Sequence, residues 1–167
     1  MAHQRTSPIY SAAAEYAVRA LVHLAKYSAG ACIRSSEIAR EENIPEFFLP
    51  AILQTLVRKG ILSSSKGRTG GFALSMPARR IRLLDIVYAV DGTACDEECA
   101  LGFSRCSLTN PCAMHDSWKE VRRSIREYLQ RITIADLAAS TRQARDRNQC
   151  ALNQFPQPEM PKRSRFE

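Results

Sequence analysis

Residues 44–74, which read IPEFFLPAILQTLVRKGILSSSKGRTGGFAL, decide the fold. Apolar residues recur at helical spacing in the first part of this stretch: Leu49, Ile52, Leu53, Leu56 and Val57. Pro50 cannot lie deep inside a helix, so we predict that this helix begins near residues 47–49 and ends at Lys59-Gly60. After Gly60 the period becomes extended, and two short strands enclose a basic, glycine-rich loop. This pattern predicts a β-hairpin.

The residues before this stretch predict two further helices. Residues 9–28 are rich in alanine and leucine, and their apolar positions recur every three or four residues, as in a long amphipathic helix. Ser35 or Ser36 is the expected N-cap of a short second helix that extends to about Glu42. A helix, a helix-turn-helix and a basic hairpin in this order describe a winged helix-turn-helix.

The second half of the chain changes character twice. Residues 79–90 again show helical spacing, whereas residues 93–114 have no apolar periodicity and hold four of the six cysteines. A final helix is predicted from about His115 to Arg131, with one apolar face that favours pairing with a partner. The segment from Ser140 onward is rich in Gln, Arg, Asn and Pro, which is typical of a disordered basic tail.

The predicted fold class is therefore mainly α with a small β-hairpin wing, and four regions follow. Residues 1–92 form a winged helix-turn-helix DNA-binding domain, and residues 93–114 form a cysteine-rich cluster-binding loop. Residues 115–139 are the long C-terminal dimerisation helix, and residues 140–167 are the tail.

Composition and charge narrow the class of protein. The 167 residues are 45% hydrophobic and 25% charged, as in a globular chain that can bury a core. Residues 1–80 carry eleven Lys and Arg against five Asp and Glu, whereas residues 81–115 carry two against five. No apolar stretch is long enough for a membrane span or an export signal. We expect a cytoplasmic protein whose basic half faces nucleic acid.

The cysteine segment predicts a metal centre. Cys99, Cys106 and Cys112 are followed by His115, and Cys95 precedes them. Thiolates with an imidazole suit an iron–sulfur cluster or zinc, and the gaps are wider than the paired two-residue gaps of common zinc fingers. An iron–sulfur cluster therefore ranks first and zinc second. The alternative is a surface loop of reduced thiols in which His115 only caps a helix.

Five segments are similar to the winged-helix iron–sulfur regulators of the IscR, NsrR and CymR type. They are EYAVRAL (15–21), SSEIA (35–39), residues 44–74, IRLLDIVYAVDG (81–92) and CALGFSRCSLTNPCAMHDSWKEV (99–121). The resemblance covers about residues 9–138. It implies a homodimeric transcriptional regulator, acting as a repressor, that reads two half-sites of a double-stranded DNA operator. A cluster in the loop would set its affinity for DNA.

The resemblance also implies a ligand set. Cys99, Cys106 and Cys112 match the three cysteine ligands of the cluster-binding members, and His115 matches the histidine that completes a two-iron site. Glu15 of the partner subunit is the alternative fourth ligand. A 2Fe-2S cluster ranks ahead of a 4Fe-4S cluster, and Cys95 is an accessory thiol that could replace a ligand or form a disulfide.

Eight residues are candidates for DNA contact. Arg34, Ser35, Ser36 and Lys59 are placed to meet phosphates, Lys66 and Arg68 of the wing to enter the minor groove, and Phe47 and Gln54 to touch bases. In the helix predicted to begin near residues 47–49, Pro50 and Ala51 occupy positions at which IscR-like members have polar base-reading residues.

Other functional classes receive little support. The sequence predicts no enzyme and no small-molecule substrate, because no acid/base pair accompanies a candidate nucleophile. The competing regulators are a thiol–disulfide regulator without a cluster and a zinc-binding regulator.

Overall fold

The computed structural model describes residues 9–27, 30–67, 70–93, 101 and 111–153, with side chains in the last segment as far as residue 143. These residues form helices α1 Ala12–Leu24, α2 Ser35–Glu41, α3 Leu49–Arg58, α4 Leu83–Asp91, α5 His115–Arg131 and α6 Ile134–Asn153. Strands β1 Leu62–Ser65 and β2 Gly71–Leu74 lie between α3 and α4. The predicted fold class is confirmed.

The hairpin is attached to the helix-turn-helix by a third extended segment. Strands β1 and β2 are antiparallel, with Leu62 opposite Leu74 and Ser65 opposite Gly71. The Ile33 amide donates to the Phe72 carbonyl at 3.0 Å, and the Phe72 amide donates back to Ile33 at 2.8 Å. Because Ile33 directly precedes α2, this pairing fixes the position of the wing relative to α2 and α3.

The core lies where α1, α3 and α4 meet. Leu21 of α1, Leu53 of α3 and Ile86 of α4 are fully buried, and Leu62 brings the start of the wing into the same cluster. Helix α3 buries one face here and leaves its opposite face exposed. The core therefore holds α3 as a rigid element with one side available to a ligand.

Two predicted helix starts are wrong by a few residues. Arg34, rather than Ser35 or Ser36, is the N-cap of α2, because Ile33 is held extended by its pairing with Phe72 and the helix begins immediately afterwards. Helix α4 begins at Leu83 rather than near residue 79, because residues 81–83 pair with residues 132–134. Both shifts come from interactions between distant parts of the chain.

The helix predicted over residues 115–131 is confirmed as α5, but its continuation to residue 139 as one dimerisation helix is wrong. Helix α5 ends at Arg131, two non-helical residues follow, and a separate helix, α6, begins at Ile134. Thr133 and Asp136 form a reciprocal cap, in which the Thr133 amide donates to Asp136 at 2.9 Å and the Asp136 amide donates to Thr133 Oγ1 at 3.2 Å.

The predicted disordered tail from Ser140 is also wrong as far as Asn153, where α6 ends. The cap starts the helix, and the alanine, arginine and glutamine residues of this segment are good helix formers that extend it. The remainder of the predicted tail, residues 154–167, lies outside the described residues. In the described part of the chain, no helix is both long and apolar enough to cross a membrane.

Candidate nucleic-acid interface and cysteine site

The exposed face of α3 is the surface on which a nucleic-acid contact is expected. Leu49, Ile52, Leu53 and Leu56 point into the core. Pro50, Ala51, Gln54 and Arg58 are exposed on the opposite side. The predicted base-contacting residue Gln54 therefore lies in the middle of the outward face, one turn beyond Ala51.

Two phenylalanines occupy the turn that leads into α3. The Phe47 side chain is 87% exposed and the Phe48 side chain is 51% exposed. Their rings meet edge to face with centroids 5.5 Å apart. The Phe48 amide donates to the Pro45 carbonyl at 3.1 Å, which closes the turn and directs Phe47 outward.

Several of the residues predicted to contact DNA are exposed on α3 or on the elements that pack against it. Arg34 is exposed beside Ile33, Lys59 is the C-cap of α3, and Lys66 is exposed directly after β1. Ser36 is exposed and Ser35 is half-buried in the first turn of α2. Arg68 lies outside the described residues. Three cations thus come from three different elements, and the hairpin attachment at Ile33 holds those elements together.

Gly71 explains why the wing stays against the helix-turn-helix. A Cβ atom added at Gly71 would lie 2.6 Å from the carbonyl carbon and 2.9 Å from the nitrogen of Ile33, closer than real Cβ atoms approach backbone. The close approach of the two backbones is what allows the Ile33–Phe72 hydrogen bonds to form. Glycine is therefore required at the start of β2 for a steric reason.

Cys112 and His115 lie together at the start of α5. The His115 amide donates to the Cys112 carbonyl at 3.0 Å, so that one turn of chain joins the two residues. The Cys112 thiol is half-buried and in no disulfide, and the His115 side chain is only 6% exposed. A soft thiolate and an imidazole joined in this way fit an iron–sulfur cluster or zinc.

The other predicted ligands are distributed differently. Cys95, Cys99 and Cys106 lie outside the described residues, and within the described ranges no three His, Cys, Asp or Glu side chains form a metal-binding group. Glu15 lies in the first turn of α1, where its carboxylate is 3.5 Å from Arg19.

Hydrogen bonds connect the start of α1 with the end of α4. The Ser11 amide and hydroxyl donate to the carboxylate of Asp91 at 2.9 and 2.5 Å. The first turn of α1, which carries Glu15, is thereby held beside the end of the helix that precedes the cysteine segment.

A polar network that the sequence did not predict ties α1 to α2. Glu42 accepts hydrogen bonds from Lys26 at 2.8 Å and from Nδ1 of the buried His23 at 2.9 Å. Burial alone would raise the pKa of Glu42, but these hydrogen bonds and the Lys26 charge outweigh burial and lower the pKa below the ordinary value of 4.5. His23 and Glu42 are 19 positions apart in the chain, so no local spacing in the sequence could have revealed the pair.

Comparison with known proteins identifies the functional class. The sequence model of the Rrf2 family, described as an iron-dependent transcriptional regulator, matches residues 10–140. A Mycobacterium tuberculosis protein whose name describes an HTH-type transcriptional regulator is 35% identical over 129 residues, which are 77% of this chain and 80% of that protein. These relatives are regulators rather than enzymes.

Two solved structures share the fold. CymR, the global cysteine regulator of B. subtilis, superposes with a TM-score of 0.66 at 24% identity, over 78% of this chain and 95% of that chain. IscR of T. potens superposes with a TM-score of 0.64 at 25% identity, over 88% of this chain and 91% of that one. Both structures agree with the winged-helix architecture described above.

Proposed function

Since the chain belongs to the Rrf2 family of transcriptional regulators, we propose that it acts as a homodimer on a double-stranded DNA operator and that a cysteine-ligated iron–sulfur cluster controls its affinity. The observation that carries the DNA-binding part is the exposed face of α3, together with the exposed cations Arg34, Lys59 and Lys66 on three neighbouring elements. In a winged helix-turn-helix such a helix enters the major groove.

The residues around α3 divide the recognition of DNA by chemistry. Gln54 has the amide that pairs bidentately with adenine in the major groove. Arg34, Lys59, Ser35 and Ser36 meet phosphates, and they set register rather than sequence. Lys66, together with Arg68, extends from the wing toward the minor groove, where a narrow A·T tract attracts cations.

The dimer is formed by α5. Val121 and Tyr128 are 46% and 44% exposed. They lie on the same side of the helix, about two turns apart. They continue the half-buried side chains of Trp118 and Ile125 into an apolar stripe. A second copy of α5, related by a two-fold axis, would cover this stripe, and the two winged domains would then meet two half-sites.

The cluster ligands are Cys99, Cys106, Cys112 and His115, with Glu15 of the partner subunit as the second choice for the fourth ligand. The pairing of a half-buried thiol with a buried imidazole in one turn supports this set, as does the iron dependence in the family description. When bound, the cluster supplies a redox-active centre that responds to oxidants, nitric oxide and iron supply. Within this set a 2Fe-2S cluster ranks ahead of a 4Fe-4S cluster, and zinc remains the second choice of metal.

Packed helices connect the turn that holds Cys112 and His115, here called the ligand-bearing turn, to α3, the proposed recognition helix. Helix α5 packs on α4, and the Leu83 amide at the start of α4 donates to the Ile132 carbonyl at the end of α5, at 2.9 Å. Helix α4 packs in turn on α1 and α3. A shift of Cys112 and His115 would therefore reach α3 through a single intervening helix, as in other switches built on packed helices.

Spectroscopy of anaerobically purified protein tests the cluster. We expect charge-transfer absorption in the wild type and its loss in Cys106→Ala and Cys112→Ala. Cys32→Ser is the matched control, because Cys32 lies between α1 and α2, away from the ligand-bearing turn, and should keep the colour. A colourless wild type that carries stoichiometric zinc would favour the zinc-binding regulator over the cluster-binding one. A colourless, metal-free protein with a reversible disulfide would favour the thiol-based regulator.

A further inference from the structure

The first turn of α3 and the turn before it present apolar side chains at the place where a recognition helix meets base edges. Phe47, Pro50 and Ala51 are all exposed, and Gln54 is the next side chain along the outward face. The N-terminal residues of a recognition helix are the ones that contact bases in a helix-turn-helix. The base edge that they meet must therefore also offer apolar surface.

Phe47 is exposed on a turn whose backbone is restricted. Its side chain is 87% exposed, and the hydrogen bond from Phe48 to Pro45 closes the turn that carries it. Pro45 and Pro50 restrict the backbone on both sides of the ring. An aromatic side chain on a restricted backbone loses little conformational entropy when it binds, which suits it to a contact residue.

The charge of the first half of the chain favours a nucleic acid duplex as the partner. Arg34, Lys59 and Lys66 are exposed on the elements around α3. Residues 1–80 as a whole carry eleven cationic and five acidic side chains. An exposed apolar ring on a half of the chain with net positive charge matches the major groove, in which phosphates line the edges and apolar groups occur among the bases.

We propose that Phe47, together with Ala51, reads thymine through its C5-methyl group in the major groove. This inference rests on the proposed function and adds the base for which the first turn of α3 is specific. The methyl group of thymine is the apolar feature of the major-groove edges, and alanine and phenylalanine are side chains that contact it. Gln54 would then read an adjacent adenine, so that each half-site contains an A·T-rich step.

Uracil substitution tests the proposal without altering the protein. An operator is first selected from random duplexes with the wild-type protein, and each thymine is then replaced by deoxyuridine, which removes only the methyl group. For one or more thymines per half-site we expect a loss of affinity of about fourfold, the value of one buried carbon group. Phe47→Ala should bring the ratio of the two affinities closer to one, and the contact of Ala51 accounts for what remains of it.

The control variant separates base recognition from phosphate binding. Lys66→Ala should weaken binding to both duplexes and keep the full fourfold ratio between them. Equal affinity of the wild type for thymine and uracil duplexes would overturn the proposal, and so would an unchanged ratio in Phe47→Ala. A wild type that enriches no sequence would overturn the proposed function itself, together with this inference.

Discussion

Gly71 joins the wing to the helix-turn-helix at a point where there is no room for a side chain. The Ile33 backbone occupies the space that a Cβ atom at this position would need. A substitution here therefore separates two backbones that are hydrogen-bonded to each other, rather than disturbing a flexible side chain. Gly71 therefore allows the wing to pair with the segment that leads into α2.

Gly71→Ala is expected to lower the free energy of unfolding by about 1–3 kcal/mol, the usual cost of forcing an extra methyl group into packed structure. Ser64→Ala, an exposed position in β1 opposite Phe72, is the matched control and should change stability by less than about 0.5 kcal/mol. Urea denaturation of both variants measures the difference. Equal stability of Gly71→Ala and the wild type would contradict the close approach of Ile33.

Glu42 gives stability a defined dependence on pH. Its pKa in the folded chain lies below the ordinary value of 4.5. The folded state therefore gains stability from the ionised carboxylate above that pH, and loses the gain as the pH falls through the lowered pKa. Glu42→Gln should cost about 1 kcal/mol at pH 7, because a charge-assisted hydrogen bond becomes a neutral one.

The difference between the wild type and Glu42→Gln should shrink as the pH falls below about 4.5, where the unfolded carboxyl takes up its proton. Urea unfolding at a series of pH values measures it. Glu41→Gln changes an exposed neighbour whose carboxylate lies 3.4 Å from Arg40, and it should follow the wild type at every pH. A difference that stays constant between pH values of about 7 and about 3.5 would contradict the role of Glu42.

At the scale of elements, patterns among residues close in sequence were sufficient to place α3 and the wing. Pairings between distant segments left no pattern in the sequence. The spacing of Leu49 to Val57 and the glycine-rich loop placed α3 and the wing correctly, because both depend on residues close in sequence. The Thr133–Asp136 cap is a local signal for the break between α5 and α6. The residues at this break also pair with residues 81–83, which are distant in sequence. The pairing of Ile33 with Phe72 and of His23 with Glu42 likewise depends on interactions that no short pattern specifies.

The candidate sites divide in the same way. Helical periodicity determines which side of α3 is outward, and Gln54 lies on that side. Phe47, Lys59 and Lys66 are exposed as well, and their contact with DNA stays a prediction. Cys112 and His115 lie in one turn because two residues separate them in sequence. The rest of the ligand set depends on how a segment without apolar periodicity is arranged, and the sequence holds no pattern for that arrangement.

The wing is the element whose function is easiest to measure. Lys66→Ala and Arg68→Ala should each weaken operator binding, because each removes a cation that neutralises a phosphate. The slope of log affinity against log salt should then fall by about one unit per subunit, or about two per dimer. Titrations at several salt concentrations measure this slope for each variant.

Ser64→Ala is the control for the wing variants, because it changes an exposed uncharged side chain of β1. It should leave both the affinity and the salt slope unchanged. Unchanged slopes in both Lys66→Ala and Arg68→Ala would contradict binding of the wing to DNA.

At the scale of the whole molecule, the proposed dimer would be held together by the apolar stripe of α5. Val121→Asp and Tyr128→Asp place a charge in the stripe and should convert the dimer to a monomer at micromolar concentration, as measured by analytical ultracentrifugation. Gln130→Asp adds the same charge to an exposed position on another side of the helix and should leave the dimer intact. A dimer that persists in both stripe variants would assign assembly to a different surface.

The two halves of the molecule must communicate if a cluster is to control DNA binding. His115 begins α5, which packs on α4, and α4 packs on α3, so packed helices join the turn of Cys112 and His115 to the exposed face of α3. Removal of the proposed cluster should change the position of α3 in each subunit of the proposed dimer. A coupling of this kind typically changes affinity by between about five-fold and 150-fold.

The most direct test is therefore the affinity of one preparation for its selected operator before and after cluster removal. Anaerobically purified protein is titrated against the operator, and the titration is repeated after chelation, with the loss of colour followed in the same sample. We predict a change in affinity of about tenfold or more that is absent in Cys112→Ala. Equal affinity of the two forms would contradict control of DNA binding by the cysteine site.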